Sequence, residues 1–323
     1  MDNQFLKNFE SKMKQGDVST LAKAITLMES TRAEDETSKL KILDMAWPAH
    51  PSATVIGITG APGVGKSTFI NQFGQYLLQN PKIKIAILSI DPSSQLTGGS
   101  ILGDKTRMLE LSQHPRCYIR PSSSQNSLGG VNPATAESIL LLKAFGYDFI
   151  LIESVGVGQS ESELRDMCDW FWLLVAPGQG DDLQSLKRGI LEMADMVLIN
   201  KCDDEFLQQS QQTFLDYQLS MHLNQGEKNL SVLKISSYRS DGLDELKKNF
   251  TSMLSEQSTK EGKQLKAARR QMQLKRWFEK IVRLRAMQLL QEHLLDTKSL
   301  ELGSDIPHRQ AIALARKVIL KHD

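Results

Sequence analysis

Short apolar runs alternate with longer amphipathic stretches from Thr54 to about Leu254: TVIGITG, KIAILSID, CYIRPS, DFILIES, WFWLLVA, MVLINK and LSVLKISS. Runs this uniformly apolar suit strands covered on both faces, and the long intervals between them suit helical crossovers. The pattern predicts an α/β fold, a mostly parallel sheet flanked by helices, over residues 49–255. Upstream, residues 1–48 predict an N-terminal helical extension of two or three short helices. Phe5, Phe9 and Met13 there recur at near-helical spacing, and the stretch ends at Trp47-Pro48. Downstream, residues 256–323 are charged and carry no strand pattern. Leu265, Met272, Trp277, Ile281, Leu284 and Leu289 form an apolar stripe, and a final helix from about Pro307 to Leu320 follows a turn at Gly303. This segment predicts a C-terminal helical arm.

Charge narrows the partners. Lys and Arg number 39 against 38 Asp and Glu, a formal net charge of +1 in 323 residues, so no global field favours nucleic acid or an anionic membrane. Any anion must be held by a local site. The first residues lack the apolar segment of a signal peptide, and no later run reaches the length of a membrane span, so the expected location is the cytoplasm. Cys117, Cys168 and Cys202 form no CxxC pair and the six histidines are dispersed, which argues against a disulfide framework or a metal cluster.

That local anion site has a strong candidate. The first run leads directly into Gly60-Ala61-Pro62-Gly63-Val64-Gly65-Lys66-Ser67-Thr68, which satisfies G-x-x-x-x-G-K-[ST] between a strand and a helix. Glycines let backbone N–H groups turn toward phosphate oxygens, and the helix adds the positive end of its dipole. Lys66 would supply a point charge at the β- and γ-phosphates, and Ser67 a hydroxyl to Mg²⁺. Further oxygen ligands are expected at neighbouring strand ends: Asp91 closes KIAILSID, and Glu153 closes DFILIES ahead of Ser154-Val155-Gly156. Either acid could instead cap the following turn. Asp104 is a third acid, beyond the Gly/Ser/Thr-rich stretch from Pro92 to Gly103. That stretch suits a segment ordered by a γ-phosphate, or an exposed loop with no such role.

The run MVLINK ends in Asn200-Lys201-Cys202-Asp203, an N-K-x-D string. An aspartate there can accept from both the ring N–H and the exocyclic amine of guanine, a donor pair that adenine lacks, while the Lys201 stem covers the base. Helix capping by Asn200 and Asp203 is the alternative. Ser236-Ser237, closing LSVLKISS, would offer a backbone N–H to the guanine oxygen, or would form an ordinary turn.

With these residues in hand, the chain resembles the MeaB/ArgK family of P-loop GTPases, the G-protein chaperones of cobalamin-dependent acyl-CoA mutases. The resemblance spans about residues 50 to 250. It rests on GAPGVGKST, DPSS with TGGSILGDKTRM, IRPS with LGGV, ESVGVGQSE, PGQGDDLQSLKRGI and NKCDDE. It implies Mg²⁺–GTP binding and slow hydrolysis to GDP, with Lys66, Ser67, Asp91, Asp104 and Glu153 at phosphate and metal, and Asn200 with Asp203 at guanine. It also implies a homodimer built by the C-terminal arm and a methylmalonyl-CoA mutase type of partner, whose cofactor loading or protection the nucleotide state gates. Gly156 belongs to the same phosphate-side motif. Cys202 stands where the family commonly has alanine, and Ser154 where it has threonine. Gln159 and Arg107 are candidates for positioning water and stabilising charge, or else make surface contacts. A P-loop kinase is the main alternative, and it would need an acceptor pocket with a general base, for which no separate segment is visible. A nickel-type metallochaperone GTPase would need clustered His or Cys, which the sequence lacks.

Overall fold

The computed structural model describes residues 3–47, 53–91, 108–123, 133–154, 161–178, 188–223, 230–272 and 275. The chain divides into two compact units, Met1–Thr259 and Lys260–Asp323. All seven apolar runs are strands: β1 (Thr54–Thr59), β2 (Ile85–Asp91), β3 (Cys117–Ser123), β4 (Phe149–Glu153), β5 (Trp170–Val175), β6 (Met196–Ile199) and β7 (Ser231–Lys234). They form one sheet in the order β3-β2-β4-β1-β5-β6-β7, and every pairing is parallel. The α/β expectation therefore holds. Helices are α1 (Asn3–Gln15), α2 (Val18–Met28), α3 (Glu36–Ala46), α4 (Lys66–Leu78), α5 (Leu109–Gln113), α6 (Pro133–Ala144), α7 (Glu161–Met167), α8 (Arg188–Met193), α9 (Leu207–Leu223) and α10 (Leu243–Ser258).

Burial on both faces explains the composition of the strands. Every residue of β1, β4 and β5 is buried. Alternation along β1 then sorts side chains between two cores. Val55 faces one, shared with Phe9, Leu21, Ile25 and Ile42 of the N-terminal helices. Ile56 and Ile58 face the other, with Phe69 and Phe73 of α4 and Phe250 of α10. In that second core Phe250 meets Phe73 edge to face at 5.1 Å and lies 5.9 Å from Trp172 of β5.

The N-terminal helices thus pack into the sheet's own core. α2 lies against α6 and α3. Asp17 caps α2 by accepting the Thr20 N–H at 3.3 Å. Leu21, Ala24, Ile25 and Met28 are buried, and each large aliphatic side chain contributes about 2 kcal/mol. At the far end of α2, Glu29 pairs with Arg120 of the edge strand β3. In the second unit residues 260–272 are helical, with Leu265 and Met272 exposed. The rest of the apolar stripe and the expected helix from Pro307 lie outside the described residues.

Candidate functional site

β1, at the centre of the sheet, ends at Thr59, and the chain turns through Gly60 to Gly65 into α4. Gly60 has φ +149°, and a Cβ there would sit 2.2 Å from the Leu174 carbonyl oxygen of β5. Any side chain would push the loop off the sheet. Gly65 is left-handed at φ +97°, and its Cβ would meet Asn200 Nδ2 at 2.5 Å. Both positions require glycine for space as well as for backbone conformation.

Lys66 opens α4 and is buried, its ammonium donating to the carbonyls of Gly60 at 2.8 Å and Ala61 at 3.1 Å. Burial pushes the Lys66 pKa down, and the carboxylates of Glu153 and Glu161 act against that. The loop carbonyls thereby hold a cation where a phosphate would offer stronger partners. Ser67, the next residue, donates its hydroxyl to Glu153 Oε1 at 2.8 Å, and both groups are buried. Two hard oxygen donors this close fit one Mg²⁺, which accepts a hydroxyl and a carboxylate while keeping water and phosphate oxygens as its other ligands. Among the described residues no three His, Cys, Asp or Glu side chains gather around a common point, so a dedicated protein cage for a metal is absent there. Asp91 ends β2, which pairs with β4 at Ser89↔Glu153, so its backbone lies two residues further along the same sheet edge. The Asp91 side chain, Asp104, Arg107, Gly156 and Gln159 lie outside the described residues.

The base-side residues converge on the phosphate loop. Asn200 follows β6 and is 1 % exposed. Its amide Nδ2 donates to the Val64 carbonyl at 2.9 Å. Its Oδ1 accepts from the Ser237 backbone N–H at 3.0 Å and from the Ser237 hydroxyl at 2.8 Å. One side chain therefore joins two loops. Lys201 takes a left-handed φ of +63° and is exposed, which turns the chain so that Asp203 comes beside Ser236. The Ser236 hydroxyl donates to Asp203 Oδ1 and accepts the Arg239 N–H at 3.0 Å. One Asp203 oxygen is thereby oriented by the serine. Of the expected site residues, Gly60 through Thr68, Glu153, Asn200, Lys201, Asp203, Ser236 and Ser237 are all at the carboxyl ends of β1, β4, β6 and β7. Ligands bind at that edge in open α/β sheets.

Three residues here carried no functional expectation. Glu161, the first residue of α7, is 1 % exposed and its charge reaches Lys66. An acid opening a helix ordinarily signals a solvated first turn, so only the flanking GVGQSE string hinted at more. Ser154 donates its hydroxyl to Thr59 Oγ1 at 2.8 Å, and both are buried. No local pattern announces that link, because the two residues are 95 apart in sequence.

A family model described as "Methylmalonyl Co-A mutase-associated GTPase MeaB" matches residues 21–294. A putative GTPase from Caulobacter vibrioides is 41 % identical over 281 residues, covering 86 % of this chain and 85 % of that protein. The GTPase ArgK of Escherichia coli is 45 % identical over 194 residues, 60 % of this chain and 58 % of its own length. From Caenorhabditis elegans, the mitochondrial methylmalonic aciduria type A homolog is 39 % identical over 305 residues, 90 % of this chain and 75 % of that one. Among solved structures, a LAO/AO transport system kinase superposes with a TM-score of 0.73 at 25 % identity, covering 98 % of this chain and 99 % of that one. Among the described residues no helix is long and apolar enough to cross a membrane.

Proposed function

The chain belongs to the MeaB family of methylmalonyl-CoA mutase-associated GTPases, and from that premise we propose that it binds Mg²⁺–GTP, hydrolyses it to GDP and phosphate, and thereby gates cofactor loading or protection of a cobalamin-dependent acyl-CoA mutase. The observation that carries guanine over adenine is Asp203 oriented by Ser236 while Asn200 ties the same loop to Val64 of the phosphate loop. Lys66 exchanges its two loop carbonyls for phosphate oxygens, and α4 directs its N-terminus at the same charge. Ser67 and Glu153 would hold the metal, together with Asp91 and Asp104. Mg²⁺, when bound, neutralises charge building on the phosphate oxygens. Leu265 and Met272 are exposed, and covering them together with the apolar positions that follow in sequence favours a homodimer through residues 256–323; the proposed location is the cytoplasm.

Calorimetry with GTP, GDP and ATP, followed by steady-state phosphate release with and without mutases of the same organism, tests this reading. The expected result is tight guanine-nucleotide binding, weak ATP binding, slow unassisted turnover, and stimulation of at least several-fold by a mutase. Equal affinity for ATP and GTP removes the guanine assignment. Fast turnover that no mutase changes, with label passing from the γ-phosphate to a protein or small molecule, turns the reading to the kinase named for the similar solved structure. Sedimentation of the full chain as a monomer at micromolar concentration removes the dimer.

A further inference from the structure

We propose that Ser154 and Thr59 are positioning residues for the hydrolytic step, their buried hydroxyl pair fixing the end of β4 so that Glu153 is presented to Ser67. The inference rests on the GTP-hydrolysing reading of this site and assigns it two residues outside the set proposed to hold nucleotide and metal. β1 and β4 are parallel neighbours in register at Ile58↔Glu153, and the Ser154 N–H donates to the Ile58 carbonyl at 3.0 Å as the backbone pairing ends. One step further the link continues through side chains, the Ser154 hydroxyl donating to Thr59 Oγ1 at 2.8 Å. Immediately past this link β1 runs into Gly60, whose carbonyl holds Lys66, and Ser154 closes its described stretch of the chain.

Strand geometry gives the pair its leverage. Successive strand residues face opposite sides of the sheet. Glu153 meets Ser67 of α4 on one side, so Ser154 and Thr59 hold the pleat from the other, where Leu164 of α7 and Cys168 just after it press on Gly57. A free strand end frays and can rotate its last side chain, whereas a strand pinned on the opposite face cannot turn Glu153 away without breaking the hydroxyl bond. Thr59 is 1 % and Ser154 2 % exposed, so each hydroxyl would bear an uncompensated desolvation cost without the other. An apolar pair would pack there without fixing an orientation.

The test compares Ser154→Ala, Thr59→Val, the double variant and Ser154→Thr in the full chain, by GTP turnover and by GDP affinity. Because misplacement of a reacting group costs rate more than ground-state binding, each single removal is expected to lower kcat about tenfold with KM and the GDP Kd changed less than about twofold. The double variant is expected to be no slower than either single one, since both remove the same bond. Ser154→Thr, which keeps the hydroxyl, is expected to stay within about twofold of the parent kcat. If Thr59→Val does not fold, the Ser154→Ala and Ser154→Thr pair decides alone. Unchanged kcat in Ser154→Ala, multiplying losses in the double variant, or a loss in GDP affinity as large as that in kcat overturns the inference. Absence of GTP turnover in the parent chain instead overturns the functional reading beneath it.

Discussion

Replacing Asn200 by alanine removes three hydrogen bonds at once, and the cost can be worked from what each partner loses. Nδ2 donates to the Val64 carbonyl at 2.9 Å, and Oδ1 accepts from the Ser237 N–H at 3.0 Å and from its hydroxyl at 2.8 Å. The Ser237 hydroxyl can rotate toward another acceptor, but a backbone carbonyl and N–H cannot. Each buried backbone group left without a partner costs about 1–3 kcal/mol, so with two such groups Asn200→Ala should lose roughly 2–6 kcal/mol before any nucleotide is added. That is a large fraction of the ~5–15 kcal/mol that keeps a domain folded. Asn200→Asp sharpens the test. It preserves an acceptor for Ser237 but turns a carboxylate oxygen on the Val64 carbonyl and buries a charge, so it should be no better than alanine. Urea unfolding, followed through the buried Trp170 and Trp172, measures both variants without ligand. A loss under about 1 kcal/mol for alanine, or wild-type stability for aspartate, refutes the reasoning.

Three further outcomes follow from the same geometry. Asp203→Asn should weaken GTP by a few kcal/mol and improve xanthosine triphosphate, whose ring presents the complementary group, and calorimetry with both nucleotides reads the exchange. Gly65→Ala combines a φ of +97° with a Cβ 2.5 Å from Asn200 Nδ2, so nucleotide binding should fall by at least about tenfold in the same titration while the sheet stays folded by circular dichroism. Glu137 on α6 has its pKa pushed up from 4.5 to about 7 by burial, with Lys39 opposing and Glu36 adding to the rise. A carboxyl raised in the folded state favours folding while protonated, so this contribution is present below pH 4.5 and is lost as pH climbs through about 7, on the order of 3 kcal/mol. Glu137→Gln should flatten that part of the stability profile measured by denaturant unfolding between pH 4.5 and 7.5, and an unchanged slope would refute it.

Much of this architecture is legible in the sequence because the physics acts locally. A parallel strand buried on both faces must be apolar at nearly every position, which is why WFWLLV stands out without any alternation. The phosphate loop and the N-K-x-D string are legible because their chemistry demands particular residues at particular offsets. Strand order is not, since the insertion of β4 between β2 and β1 is decided by how crossover helices pack over the sheet. For the N-terminal helices, the spacing of Phe5, Phe9 and Met13 showed a face needing cover but not that α2, α3 and Phe145 would cover it. Glu161 and the Ser154–Thr59 pair were hidden for a related reason. Their meaning lies in long-range neighbours, whereas their own sequence surroundings read as a helix start and a strand end.

The same sheet order explains why the phosphate and base halves of the site are mechanically joined. β5 lies between β1, which delivers the phosphate loop, and β6, which delivers Asn200. Its last two carbonyls face both neighbours: Leu174 O bounds the space left by Gly60, and Val175 O accepts the Asn200 N–H at 2.9 Å. With both chains seated against β5, Asn200 needs only its short side chain to reach Val64. Gly65 is glycine so that this approach meets no Cβ. A glutamine at 200, one methylene longer, would have to buckle or push the phosphate loop outward, although its amide offers the same donors and acceptor. The close seating of two loops on one intervening strand is therefore what makes an asparagine, and a glycine opposite it, the residues that fit.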